Sequence, residues 1–321
     1  MSDYRVGFRE IRHCARIDPV APPIGSIGRC VTIAGVRDSV LSWYAANARD
    51  LPWRAADRTP WGVLVSEVML QQTPVSRVEP VWREWLRRWP SPAALAAEQP
   101  AAAIRAWGRL GYPRRALRLH AAARAITDRH AGSVPSGYDD LRALPGVGDY
   151  TAAAVASFAF GARHAVLDTN VRRVLARAIS GSQYPPQSAT AAERRLAEEL
   201  LPEPEDAPTW SVAVMELGAV ICTARAPRCG ECPIAGECTW RLAGSPAYAG
   251  PPRRGQAWEG TDRQARGRLL AVLREASGPV GKSALDVVWS DARQRERALD
   301  GLVADGLVEP LDGDRYRLPS S

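Results

Sequence analysis

Two glycines one residue apart, in Leu144-Pro145-Gly146-Val147-Gly148-Asp149-Tyr150-Thr151, constrain this chain more than any other feature. Helical stretches are predicted on both sides, over 138–143 and 150–160. The glycines let the backbone turn within a few residues and lie close against another surface. The first N–H groups of the second helix have no intrahelical partner, so an anion can sit on them. Two helices joined in this way grip a nucleic-acid backbone without reading bases. A bare Gly-x-Gly is usually an ordinary turn; the preceding Leu-Pro and the two flanking helices favour the grip.

The surrounding pattern is mainly α. Apolar residues recur at helical spacing over 36–49, 61–72, 78–89, 93–107, 113–129, 170–179 and 191–200, with Pro and Gly between them. No alternating strand precedes residue 300. Residues 1–36 mix Arg, Pro, Gly and Ser without a period and read as a poorly ordered leader. Residues 242–260 are rich in Gly, Pro and Ala and read as a linker. Beyond it, helices are expected over 261–276, near Ser283 and over 291–305. Asp312-Gly313 between two extended runs marks a hairpin. Residues 261–321 therefore look like a small winged-helix-like module.

No apolar run approaches the roughly 18 residues of a membrane helix, and no basic stretch followed by an apolar core opens the chain. A soluble cytoplasmic protein is the expectation, with no membrane partner. The net charge of +7 favours a polyanion. Lys282 is the single lysine and arginine supplies the remaining positive charge. Arginine suits phosphate through its planar fork, although Arg-rich usage is also a common genome habit.

Four cysteines crowd together as Cys222-x6-Cys229-x2-Cys232-x5-Cys238, while Cys14 and Cys30 lie apart and read as incidental. In a cytosolic chain such a set points to a metal site rather than disulfides. Four thiolates admit either zinc or an iron–sulfur cluster. Asp168, in Val166-Leu167-Asp168-Thr169-Asn170, follows an apolar run and opens a helix, a common place for an N-cap. Glu67, between apolar neighbours in Ser66-Glu67-Val68-Met69-Leu70-Gln71-Gln72-Thr73, is either a buried acid or a surface ion-pair partner.

Together the glycine hairpin, Asp168 and the cysteine set resemble the helix-hairpin-helix DNA glycosylase superfamily. The stretch from Ser66 to Thr73, after Leu51-Pro52-Trp53-Arg54 and Pro60-Trp61, resembles its adenine DNA glycosylase branch. The likeness covers about residues 37–241. It implies a two-lobed helical glycosylase domain over 37–241, with the helix-hairpin-helix at about 138–160. It also implies a 4Fe-4S cluster in a loop over 222–238, held by Cys222, Cys229, Cys232 and Cys238. Glu67 would protonate adenine, and Asp168 would stabilise the cationic sugar that remains, the two-carboxylate logic of glycoside hydrolysis. Tyr150 would assist by a hydrogen bond, and Asn170 would orient Asp168 or the sugar. Gln72 and Tyr112 would enter the base stack, Trp53 and Arg54 would touch the flipped adenine, and Gly146 and Gly148 would meet the DNA backbone. Read on its own, Tyr112 could instead be a core residue.

The implied substrate is double-stranded DNA carrying adenine opposite 8-oxoguanine or guanine, and the implied enzyme is a nucleoid-associated monomer. The endonuclease III branch lacks the acid at position 67 and has lysine at position 150. A lyase that opens the sugar needs an amine nucleophile. Lys282 lies beyond the linker, so base removal without lysine-dependent strand cleavage is expected. The chain departs from the family in two places. Only about 80 residues follow the cysteine set, with no sign of the Nudix-like domain that usually checks for 8-oxoguanine. Val212 stands where Gln or Glu often reaches the adenine. Two other readings stay open: a glycosylase for thymine or uracil opposite guanine, and a non-catalytic DNA-binding iron–sulfur protein. Two acids beside a polyanion argue against the second.

Overall fold

A computed structural model describes residues 33–251 and 258–320. Cys14, Cys30 and nearly all of the expected leader, with 252–257 of the expected linker, lie outside the described residues. Within them the chain forms α1 (Ile33–Asn47), α2 (Pro60–Leu70), α3 (Val75–Arg88), α4 (Pro92–Ala96), α5 (Pro100–Trp107), α6 (Arg114–Arg129), α7 (Tyr138–Arg142), α8 (Asp149–Phe160), α9 (Thr169–Ala178), α10 (Ala191–Glu199), α11 (Ala207–Val220) and α12 (Thr239–Leu242). The remainder adds α13 (Asp262–Glu275), α14 (Lys282–Asp286) and α15 (Ala292–Ala304), with short strands β1 (Val280–Gly281), β2 (Glu309–Leu311) and β3 (Arg315–Arg317). The fold is mainly helical, as the periodicity predicts.

Local chemistry sets several helix starts. Thr59, Ser91, Asp168, Thr190, Thr261 and Asp291 each cap a helix by accepting a backbone N–H. The single helix predicted over 93–107 is two helices. Pro100 cannot donate to the preceding turn and holds Gln99 in an extended conformation (φ −75°, ψ 150°), so α4 stops and α5 starts afresh. Helix α11 has no counterpart in the sequence reading. It is apolar nearly all round and so lacks the one-sided period that reveals a surface helix.

The described residues divide into two compact units, one comprising 33–49 and 161–250, the other 50–160 and 258–320. In the first, Val36 and Val40 of α1, Val171, Val174 and Leu175 of α9, and Trp210 and Leu217 of α11 share one apolar core. In the second, α2 is buried along almost its whole length and packs against α3, α6 and α8. A cluster of tryptophans, with Trp85 edge-on to Trp89 and Trp107 at 4.7 and 5.8 Å, fills the space beside it.

Residues 258–320 belong to this second unit. The order α13, β1, α14, α15, β2, β3 is that of a winged helix, and the sheet is antiparallel with order β1-β3-β2. The hairpin turns at Asp312-Gly313-Asp314, with Gly313 at φ 73°. Strand β1 is only two residues long, too short to show alternation in the sequence. Leu269, Leu270, Leu273, Leu302 and Leu307 bury against one another and against Ala101 and Ile104 of α5. The backbone N–H of Ala101 donates to the Pro319 carbonyl (3.1 Å), and Arg114 pairs with Asp305 (3.1 Å).

Candidate functional site

The acid on α2 is built into the core of its unit. Thr59 accepts the Gly62 N–H, and Pro60 presets the first turn. Every residue from Trp61 to Met69 is buried, and Glu67 is 5% exposed. A carboxyl there needs a partner. Tyr150, at the second position of α8, supplies it: its hydroxyl donates to Glu67 Oε2 at 2.6 Å. The surface ion-pair reading of Glu67 is therefore excluded by burial. The same hairpin that starts α8 thus also delivers the hydroxyl.

Gly146 is required twice over. Its φ is 79°, and a Cβ would lie 2.6 Å from Cβ of Arg118. A Cβ at Gly148 would meet nothing within 4 Å, so that face of the turn is open. Trp53, in a short turn of 3-10 helix over Pro52–Arg54, is buried edge-on to Trp82 at 5.7 Å, and the turn packs on α2. Gln72 and Tyr112 both lie at loop tips in the left-handed region, with φ 56° and 47°. Gln72 is exposed and Tyr112 is 43% exposed, so Tyr112 is not a core residue.

Arg115 sits beneath both tips, and the sequence reading passes over it. Its Nη1 donates to the carbonyls of Val68 (2.9 Å), Met69 (3.2 Å) and Gln71 (2.6 Å). Its Nη2 donates to Gly111 O (3.0 Å) and Thr73 Oγ1 (3.1 Å). The guanidinium lies 5.3 Å from the rings of Trp107 and Tyr112. Burial pushes its pKa down to about 10.

Asp168, in the other unit, is both cap and candidate carboxylate. Oδ1 accepts the Val171 N–H at 2.6 Å, and Oδ2 accepts from Asn170 Nδ2 at 2.7 Å. Burial raises its pKa, opposed by these hydrogen bonds and by the charge of Arg173. Arg173 Nη2 donates to Asn170 Oδ1 (2.8 Å) and to Gly218 O (2.6 Å), and its Nε donates to Cys222 O (2.7 Å). One buried guanidinium thus ties the Asp168 turn to the cysteine loop. The contact needs Gly218, where a Cβ would lie 2.7 Å from Cβ of Asn170. On α11, Val212 is half-buried, while Glu216 is fully buried and held by Arg49 through both oxygens (2.5 and 2.8 Å).

Cys222, Cys229, Cys232 and Cys238 are free thiols lining one cavity with Leu217, Ile221 and Ile234. No three His, Cys, Asp or Glu among the described residues lie close enough to hold a single metal ion. Four thiols lining one cavity, and no histidine among its lining residues, fit the four-cysteine ligand set of an iron–sulfur cluster. Burial pushes the Cys232 thiol up to about 11 and raises that of Cys238, so ligation must supply the cation that makes thiolates favourable there. Arg177, 1% exposed, donates to Cys222 Sγ (3.4 Å) and to the carbonyls of Thr223 (2.7 Å) and Ala224 (3.0 Å). A buried cation bonded to a cysteine sulfur suits an anionic thiolate-ligated cluster.

A glycine hairpin beside a buried acid, with a cysteine loop built for a cluster, defines a helical base-excision protein. Residues 65–203 match the HhH-GPD superfamily of base excision DNA repair proteins, and residues 222–238 match the iron–sulfur binding domain of endonuclease III. An adenine DNA glycosylase of Mycobacterium tuberculosis is 54% identical over 88% of this chain and 92% of its own length. A thymine/uracil-DNA glycosylase of Pyrobaculum aerophilum is 37% identical over 65% of this chain and 92% of its own. The solved structure of a thermostable thymine-DNA glycosylase covers 66% of this chain and 97% of its own, at 27% identity and a TM-score of 0.61. The chain belongs to the adenine DNA glycosylase family, and the iron–sulfur cluster is its cofactor.

Proposed function

We propose that this protein is a monofunctional base-excision glycosylase that hydrolyses the N-glycosidic bond of adenine opposite 8-oxoguanine or guanine in double-stranded DNA. Residues 37–241 carry the chemistry and 261–321 form an accessory module, in a cytoplasmic, nucleoid-associated monomer. The observation that carries the reading is Glu67, an acid sunk in an apolar helix and bonded to Tyr150 at 2.6 Å. The tyrosine stands where a lyase of the endonuclease III branch has its lysine, so that position offers no amine to open the sugar.

The reaction needs two carboxyl groups in different states. Glu67 donates a proton to N7 of the flipped adenine. The C1′–N9 bond breaks with its electron pair leaving on the base, and an oxocarbenium-like sugar remains. Asp168 is a half-buried carboxylate whose anionic form burial disfavours. A cation formed beside it relieves that penalty, which lowers the barrier. Water adds to C1′ and gives up a proton to the vacated Glu67 carboxylate. Asn170 fixes Asp168 Oδ2, Trp53 and Arg54 contact the base, and the Gly146–Gly148 turn holds one DNA strand. Gln72 wedges into the vacated stack and Tyr112 inserts beside the opposite base. Cys222, Cys229, Cys232 and Cys238 would hold the cluster, which would tie the loop carrying Arg225 and Arg228 into a rigid knob that can meet phosphate.

Single-turnover base release from duplexes with A opposite 8-oxoguanine, G or T, and with T opposite G, tests the reading. The expected result is adenine release fastest opposite 8-oxoguanine and lost in Glu67→Gln. Release of thymine would move the protein towards the activity named for its P. aerophilum relative. Binding with no base released would end the enzyme reading.

A further inference from the structure

We propose that Arg115 is the positioning residue that locks Gln72 and Tyr112 into one preformed wedge on the same frame as Glu67. The inference rests on the reading above that these two side chains enter the duplex. Arg115 is 6% exposed, and none of its partners among the described residues is a carboxylate. A buried guanidinium without a counter-ion is costly, and a well-packed apolar residue serves a core as well or better. What an apolar residue cannot supply is a planar fork with donors on both arms.

Each arm addresses a different loop. The Nη1 arm gathers the carbonyls of Val68, Met69 and Gln71, the unpaired end of α2, where positive charge is favoured. Val68 directly follows Glu67, and Gln71 directly precedes Gln72. The Nη2 arm takes Gly111 O, directly before Tyr112, and Thr73 Oγ1. Thr73 Oγ1 in turn lies 3.3 Å from both Gln71 O and Leu110 O, so it touches both loops as well. The fork therefore fixes the spacing of two exposed tips that both hold non-glycine residues at positive φ. Backbone in that region persists where surrounding bonds over-determine it. The two prongs are rigid before DNA arrives, so ordering them costs nothing during base extrusion.

The test separates opening the duplex from chemistry. Arg115→Lys keeps the charge but loses the fork; Thr73→Val keeps the volume and removes one bridge. Both are assayed by single-turnover adenine release from an A:G duplex and from a strand with the adenine already extruded in a one-nucleotide bulge. The fluorescence of 2-aminopurine at the target position reports unstacking. Arg115→Lys is expected to lose on the order of a hundredfold on the duplex, with a matching loss of unstacking signal, and little on the bulge. Thr73→Val is expected to lose less, in the same direction. Equal losses on both substrates, or none on the duplex, would overturn the proposal. Gln72→Ala and Tyr112→Ala run alongside. If these leave duplex release and unstacking intact, the wedge reading itself fails, whatever Arg115 does.

Discussion

Arg115 and Arg173 occupy parallel positions in the two units. Each is a buried guanidinium that grips backbone carbonyls at a helix junction, Arg115 at Val68, which follows Glu67, and Arg173 beside Asn170, which holds Asp168. Burial lowers the pKa of both. Their surroundings differ. Arg115 meets only neutral acceptors and reaches towards two exposed loop tips. Arg173 stands between Asp168, through Asn170, and the loop of Cys222. The same side chain therefore organises shape in one unit and electrostatics in the other. On this view, losing the first should impair duplex opening, and losing the second should impair stabilisation of charge.

The largest effect belongs to Glu67, the acid on the same frame as Arg115. Glu67→Gln keeps the shape and the tyrosine contact but cannot give up a proton. Adenine release should fall by about 10³-fold or more, with duplex binding retained in a mobility-shift assay. Asp168→Asn comes next. Asparagine still caps α9, so the fold should hold while release drops by about 10²-fold or more. Its stability response is diagnostic. A carboxyl with a raised pKa in the folded state stabilises the fold only while protonated, below its unfolded pKa, and loses that benefit as pH rises through the folded value. Asp168→Asn should therefore melt higher than the parent at pH 7, with the advantage shrinking as pH falls towards about 4. A variant that melts lower at pH 7 would mean that Asp168 is chiefly a structural cap.

Arg173→Lys sharpens the contrast with Arg115. Lysine keeps a charge but cannot reach Asn170, Gly218 and Cys222 together. Release should fall on the order of tenfold, equally on duplex and bulged adenine, because Asp168 is misplaced in both. Iron retention during exposure to oxidant should fall as well, read by iron content per protein. Loss on the duplex alone would break the division of labour between the two arginines.

Neither arginine stood out in the sequence, and the reason is physical. In a chain with arginine at nearly every basic position, a buried arginine has the same signature as a solvated one. Burial and bonding to carbonyls depend on where distant segments meet, and no local pattern encodes that. Gly218 was hidden likewise, in an apolar run whose helix, α11, has no one-sided period. The hairpin glycines, by contrast, act through their own backbone, and Gly146 has the φ of 79° that its motif anticipates. The cysteine spacing is local too. Asp168 shows both signals at once: the cap and the bond from Asn170 are properties of its immediate neighbours, while its link through Arg173 to Cys222 needs the folded chain.

The smallest expected effect tests how far the wedge frame extends. Residues 261–321 carry equal numbers of acidic and basic residues, so the chain's excess positive charge lies elsewhere. Several of these charges pair with one another: Lys282 holds Asp286 and Glu296, Arg295 holds Asp286, and Arg317 holds Glu309. A neutral surface with paired charges makes a poor clamp for DNA. The contact with the rest of the unit is instead an apolar seam to Ala101 and Ile104, and Asp305 pairs with Arg114, two residues from Tyr112. Arg114 is half-exposed, which limits such a pair to under about 1 kcal/mol. Asp305 also pairs with Arg266, so the variant that removes only the seam pair is Arg114→Ala, which should lower Tm slightly and change duplex release by no more than about threefold, within the factor that such an energy permits. A loss on the duplex as large as that of Arg115→Lys, with bulged adenine unaffected, would show that the wedge is held from the winged-helix side as firmly as from below.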